Sequence, residues 1–153
     1  MNDYQNYKIN HTLSNANESN QPLIPAATVL LVRDHNSTIE VFMIKRAMKT
    51  NFGGAWVFPG GKVDSSDDIK NINKYSPSLN DEEASKRLDI KSGGLIYWIA
   101  CIRECFEESG ILLADNEKRK ISAGSLTGAE LDNINQYKEK LLKGKDVFLE
   151  LIE

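Results

Sequence analysis

Arg103-Glu104-Cys105-Phe106-Glu107-Glu108-Ser109-Gly110-Ile111 is the stretch on which the reading of this chain turns. Leu95, Ile99, Ile102 and Phe106 recur at intervals of three or four, which predicts an amphipathic helix over residues 95–109. Gly110 stands where a helix C-cap takes a left-handed residue. At about 100° per residue, Glu104, Glu107 and Glu108 fall at roughly 0°, 300° and 40°, so all three carboxylates share one arc. Neighbouring like charges on a helix repel by about 0.2–0.5 kcal/mol per pair. The trio also lies toward the C-terminal end, where the macrodipole disfavours anions. One reading is a solvated acidic face. The other is a site for a hard divalent cation, Mg²⁺ or Mn²⁺, which prefers carboxylate oxygen and water. Arg103 alongside, the glycine stop and an upstream Phe58-Pro59-Gly60-Gly61 favour the cation.

Working outward, residues 26–33 form a short apolar, β-branched run and predict a strand, followed by turn chemistry at Asp34-His35-Asn36-Ser37. Residues 39–46 predict a second strand, hairpinned to the first, and residues 56–58 a third, ended by Pro59-Gly60-Gly61. Residues 65–94 are polar and weakly patterned, with room for a short helix over 81–90; they read as a surface excursion that a Gly/Ser linker could replace. Ile111-Leu112-Leu113 follows the carboxylate helix, and residues 130–143 and 145–153 read as helical, with no strand expected after Leu113. Residues 1–22, rich in Asn, Gln, Ser and Tyr, predict a flexible tail, which leaves 23–153 as one domain.

The chain of 153 residues is 41% hydrophobic and 27% charged, the balance of a globular domain. A net charge of −3 argues against a nucleic-acid binder. No apolar run approaches membrane-spanning length, and Met1-Asn2-Asp3-Tyr4 lacks the blocks of a secretory leader. Cys101 and Cys105 cannot build a disulfide framework. Cytoplasmic location and a small-molecule partner are the expectations. Cys101 and Cys105 read as core thiols rather than a zinc pair, because no nearby His or further Cys completes four ligands. Trp56 and Trp98 read as core anchors, and neither His11 in the tail nor His35 in a turn reads as catalytic.

Arg103-Glu104, Glu107-Glu108, Gly110 and apolar Ile111 resemble the second half of the Nudix box, and Pro59-Gly60-Gly61 resembles its glycine-rich start. The usual box runs Gly, five residues, Glu, seven residues, then Arg-Glu. Here five residues separate Gly61 from Asp67, an aspartate in place of glutamate, and 35 separate Asp67 from Arg103, so the box carries an insertion of 28 residues. Together with residues 41–46 and 56–64, this pattern is similar to the acyl-coenzyme A diphosphatase branch of Nudix hydrolases, which is peroxisomal in animals.

The resemblance implies an α+β fold, the Nudix α/β/α sandwich. It implies water attacking a phosphorus of a nucleoside diphosphate derivative, with coenzyme A or acyl-coenzyme A the favoured substrate. Glu104, Glu107 and Glu108 would hold Mg²⁺ or Mn²⁺, with a carbonyl of Gly60 or Gly61 as a further ligand and either Glu104 or Glu107 as general base. Arg103 would orient a helix carboxylate through its guanidinium fork. Arg46, Lys62, Gly60 and Gly61 are the substrate-binding candidates; Arg46 and Lys62 read equally well as solvated strand residues. Asp64 and Asp67 either support the metal site or cap the start of the insertion. Nudix domains normally continue with more strands and a second long helix, so the sandwich is expected to be incomplete at the C-terminus, with marginal stability or association into a homo-oligomer. The alternative is a Nudix-fold module that binds a nucleotide with weak or no turnover.

Overall fold

The computed structural model describes residues 23–49, 53–116, 119–120 and 127–153; the tail expected over 1–22 lies outside them. The architecture is mixed helix and antiparallel strand, an α+β arrangement. Among the described residues the strands form four two-stranded pieces rather than one sheet.

The strand expected over residues 26–33 changes partner midway. Its first part, β1 (Ala26–Thr28), pairs with Gly60–Lys62, and its second, β2 (Val32–His35), pairs with β3 (Thr38–Val41). The crossover is hydrogen-bonded on both sides, Val29 N–H donating to the Pro59 carbonyl at 2.9 Å and Phe42 N–H to that of Leu31 at 2.9 Å. The β2–β3 turn is two residues long, Asn36 at φ 45° and Ser37 at φ 63°, the double left-handed geometry that matches strand twist. The expected second strand is likewise broken into β3 and β4 (Ile44–Lys45), and β4 pairs with β5 (Trp56–Val57). The glycine-rich segment expected to be a stop is itself a strand, β6 (Gly60–Lys62), laid against β1. A Cβ at Gly60 would overlap the backbone of Ala27 and Thr28, so the close pairing requires glycine.

The core is helical. Ile69, Ala84, Leu95, Ile99, Phe106, Leu141 and Phe148 form one buried cluster. α2 (Gly94–Ser109) runs through it, with Gly110 at φ 77° and its N–H bonded to the Phe106 carbonyl, as periodicity and capping predict. α3 (Gly128–Leu142) is started by a capping box between Thr127 and Glu130 and delivers Leu141; α4 (Phe148–Ile152) delivers Phe148. A short pair of strands, β7 (Asp115–Asn116) and β8 (Arg119–Lys120), occurs where no strand was expected. No helix among the described residues is long and apolar enough to cross a membrane.

Residues 65–94 are not the surface excursion their polarity suggests. They contribute Ile69 and Ala84 to the core and contain two 3₁₀ turns, Ser65–Asp67 and Ile72–Lys74, and α1 (Asp81–Arg87). α1 has acidic residues in its first turn and basic ones in its last, which suits the macrodipole. It also finishes the start of α2. The Asp81 carboxylate accepts from Gly93 N–H and Leu95 N–H, both at 3.0 Å, and Ser85 Oγ accepts from Gly94 N–H at 2.8 Å. Backbone donors that open a helix have no partner within it, and α1 supplies them here. Apolar periodicity could not reveal this packing, because so few side chains of the segment are core.

Candidate active site

Arg103 sits at the centre of the carboxylate helix, and its guanidinium is fully engaged. Nε and Nη2 donate to the two carboxylate oxygens of Asp67 at 2.7 and 2.9 Å, Nη2 also donates to the Lys62 carbonyl at 3.0 Å, and Nη1 donates to Glu104 Oε1 and Glu107 Oε1, each at 3.0 Å. These account for all five guanidinium N–H groups. The pair with Asp67 is bidentate and buried, Arg103 being 7% and Asp67 1% exposed. The hydrogen bonding to the Asp67 carboxylate is the main reason that Arg103 holds its proton even more firmly than a free guanidinium.

Arg103 thus orients helix carboxylates, as expected, but its principal partner comes from across the insertion. Five residues separate Asp67 from Gly61, the spacing that singled it out, and the 35 residues between Asp67 and Arg103 obscured the connection. Asp64 and Asp67 also close a capping box on the first 3₁₀ turn: Asp67 Oδ2 accepts from Asp64 N–H at 2.7 Å, and Asp64 Oδ1 accepts from Ser66 N–H at 2.9 Å. Asp64 therefore has the capping role. That bond from Ser66 is the largest cause holding its carboxyl below the usual range.

The glycine strand lies directly against the acidic arc. Gly60 N–H donates to Glu108 Oε2 at 3.1 Å. A Cβ on Gly61 would occupy the space of the Glu104 carboxylate, so only glycine lets β6 approach it. Glu104 is half-buried, and burial is the first cause pushing its carboxyl above the usual range; Arg103 pulls it back, and Glu107 and Glu108 add to the rise. A carboxylate whose charge is disfavoured by its surroundings is one that a cation relieves.

The three glutamates do not form a closed cage. Among the described residues, no three His, Cys, Asp or Glu side chains stand together as ligands for one ion. The three are held by different partners: Arg103 Nη1 binds Glu104 and Glu107, and Gly60 N–H binds Glu108. The donor chemistry nevertheless suits a hard cation. Each carboxylate has one oxygen in a hydrogen bond to Arg103 or Gly60 and presents a second oxygen, and the Gly60–Gly61 backbone borders them.

The other candidates are less central. Lys62 contributes its backbone carbonyl to Arg103, while its side chain is exposed. Arg46 closes β4, bonded through its N–H to the Ala55 carbonyl at 2.9 Å, and its side chain is exposed. Cys105 is buried and Cys101 partly so, with both thiols pushed up first by burial, as core thiols are. Trp56 is not a core anchor: it is 62% exposed, because among the described residues β5 pairs with β4 alone and leaves its indole in solvent beside Lys45 Nζ, 6.0 Å from the ring centre. Trp98 is also exposed. His35 lies in the exposed hairpin beside Asn36, and His11 lies outside the described residues.

No family model matches the chain, and no solved structure matches it. Among curated proteins, it is similar to the acyl-coenzyme A diphosphatase NUDT19 of Xenopus laevis, 26% identical over 145 residues that cover 78% of this chain and 38% of that protein. The chain therefore spans well under half the length of the curated relative it matches. The comparison gives a distant relation to a Nudix diphosphatase.

Proposed function

We propose that the chain is a metal-dependent hydrolase of a diphosphate linkage in a nucleoside diphosphate derivative, with coenzyme A or acyl-coenzyme A the favoured substrate. The observation that carries this reading is the Asp67–Arg103 clamp, which joins the two halves of a divided box around the carboxylate helix. The distant likeness to an acyl-coenzyme A diphosphatase supports the substrate class. Residues 65–94 are the insertion within the box, and the strands and helices belong to a Nudix-type α/β/α sandwich.

Glu104, Glu107 and Glu108, with the Gly61 carbonyl, would hold Mg²⁺ or Mn²⁺. Such an ion neutralises phosphate charge and lowers the pKa of water. Arg103 keeps Glu104 and Glu107 in register on α2 and is itself anchored by Asp67. Glu104 or Glu107 takes the proton from the attacking water. Gly60 N–H positions Glu108. Gly60, Gly61, Lys62 and Arg46 border or approach the substrate.

The test is hydrolysis of coenzyme A, acyl-coenzyme A, NADH, ADP-ribose and diadenosine compounds with Mg²⁺ or Mn²⁺, comparing Glu107→Gln and Glu108→Gln with the unaltered chain. Each substitution should lower turnover at least ~10²-fold, the scale of lost transition-state electrostatics. Unchanged turnover in both overturns the assignment.

A second reading, a nucleotide-binding module with weak or no turnover, draws on the separation of the three carboxylates. Nucleotide binding with a melting temperature indifferent to Mn²⁺ and no product would favour it.

A further inference from the structure

A cavity of about 220 Å³ lies against the C-terminal half of α2. Asp64, Arg103 and Glu107 line it from the divided box, and Lys145 and Asp146 line it from the turn between α3 and α4. It is smaller than the roughly 300–1,000 Å³ of pockets that enclose a whole small molecule, and so suits one charged group of a larger ligand.

The lining holds two cations, and only one has donors to spare. Arg103 spends all five N–H groups on protein oxygens. The Lys145 ammonium, with three N–H groups, makes no hydrogen bond or ion pair among the described residues. Arg46 and Lys62, the cations that the sequence singles out, do not line the cavity. The backbone that carries Lys145 is fixed. α3 ends in a Schellman motif, with Gly144 at φ 72°, its N–H bonded to the Leu141 carbonyl at 2.7 Å, and Lys145 N–H bonded to the Lys140 carbonyl at 3.0 Å. The Lys145 carbonyl then accepts from Val147 N–H at 3.0 Å, and Leu141 and Phe148, on either side of the turn, are buried in the core. Core packing thus keeps an unpaired ammonium-bearing residue beside the carboxylate helix.

Asp64, Glu107 and Asp146 bring three carboxylates to the same space. A lone anion is disfavoured there. A phosphate accompanied by a divalent cation is not, because the ion meets carboxylate and a phosphate oxygen meets the ammonium.

We propose that Lys145 binds a phosphate oxygen of the substrate's diphosphate, so that the α3–α4 turn, outside the box, completes the phosphate site. The inference rests on the functional reading above and adds to it a substrate-binding residue that the motif does not contain.

The probe is methylenediphosphonate with Mg²⁺, a diphosphate analogue whose P–C–P bridge resists hydrolysis, titrated calorimetrically into the chain. Lys145→Met should weaken binding about tenfold or more, the scale of a hydrogen bond to a charged group. Lys145→Arg, which keeps the charge, should retain most of the affinity. Lys143→Met removes the same charge from a residue that does not line the cavity, and it should bind as the parent does. In hydrolysis, Lys145→Met should raise KM with little change in kcat, as the loss of uniform binding does. No binding by the parent, undiminished binding by Lys145→Met, or equal losses in the Lys143 and Lys145 variants overturns the proposal. Because the probe cannot turn over, binding that depends on Lys145 in a chain without hydrolytic activity would retain the phosphate site and defeat the hydrolase reading. Hydrolysis with an unaltered KM in Lys145→Met would do the reverse.

Discussion

Phe106 and Ala84, on the helical side of the molecule, are shut away from solvent, whereas Ile39 and Val32, on the β2–β3 hairpin, stand 70% and 62% exposed. The same contrast runs through both regions. The helices enclose a core around α2, but residues 26–57 present Leu30, Val41 and Trp56 outward, and among the described residues their strands pair two by two. Burial of such a side chain is worth about 1.5–3 kcal/mol, so stability resides in the helical region. The strand region is tied to it by β1–β6 and by contacts that also build the candidate site: Lys62 carbonyl to Arg103, and Gly60 N–H to Glu108. The strands therefore position backbone near the carboxylates without stabilising the fold much.

The largest test of this contrast is to replace residues 68–91 by a Gly/Ser linker. Although polar in sequence, the segment holds core residues and the caps of α2, so cooperative thermal unfolding should be lost. A sharp transition near the original temperature would move the segment to the dispensable side. Next is Asp67→Ala, which strands the buried Arg103 charge and should cost about 3–5 kcal/mol in denaturant unfolding. A loss below 1 kcal/mol would mean that the clamp contributes little to the helical region.

Asp81→Ala should cost about 1 kcal/mol near pH 7, the scale of a lost helix cap. The Asp81 carboxyl is held below its ordinary 3.8, first by the Leu95 N–H and then by the Gly93 N–H. A depressed folded pKa gives stability that is complete above the unfolded value and is lost as pH falls through the folded one. The gap between the parent and Asp81→Ala should therefore narrow below pH 3.8, and a gap constant down to pH 2 would remove the cap from the account. Smallest is Ile39→Ser, expected within about 0.5 kcal/mol because the side chain is already in water. A larger, concentration-dependent loss would show the hairpin face buried by association.

Legibility in the sequence followed periodicity. α2, its Gly110 cap and the shared arc of Glu104, Glu107 and Glu108 were readable because spacing along one helix is a local property. The strands were located but not their breaks: a run such as residues 26–33 looks the same whether it keeps one partner or trades β6 for β3. The Asp67–Arg103 pair and the capping of α2 by Asp81 and Ser85 depend on long-range packing, and residues 65–94 carry no repeat that betrays it. Trp56 was misplaced because its β-propensity says nothing about whether a strand has a covered face.

The Asp67–Arg103 clamp closes a chain loop of 35 intervening residues, against seven in the family that the sequence resembles. For a flexible segment, the entropy of joining its ends grows only with the logarithm of its length, so this fivefold lengthening adds about 1.4 kcal/mol. That is less than the about 3–5 kcal/mol at stake when a buried pair is broken. Lengthening the loop therefore costs less than breaking the pair would, and the longer segment does not by itself open the clamp. The length of the segment between those two anchor points is accordingly a weak constraint, whereas its content is a strong one: any replacement has to restore the core contacts of Ile69 and Ala84 and the caps that Asp81 and Ser85 give the start of α2.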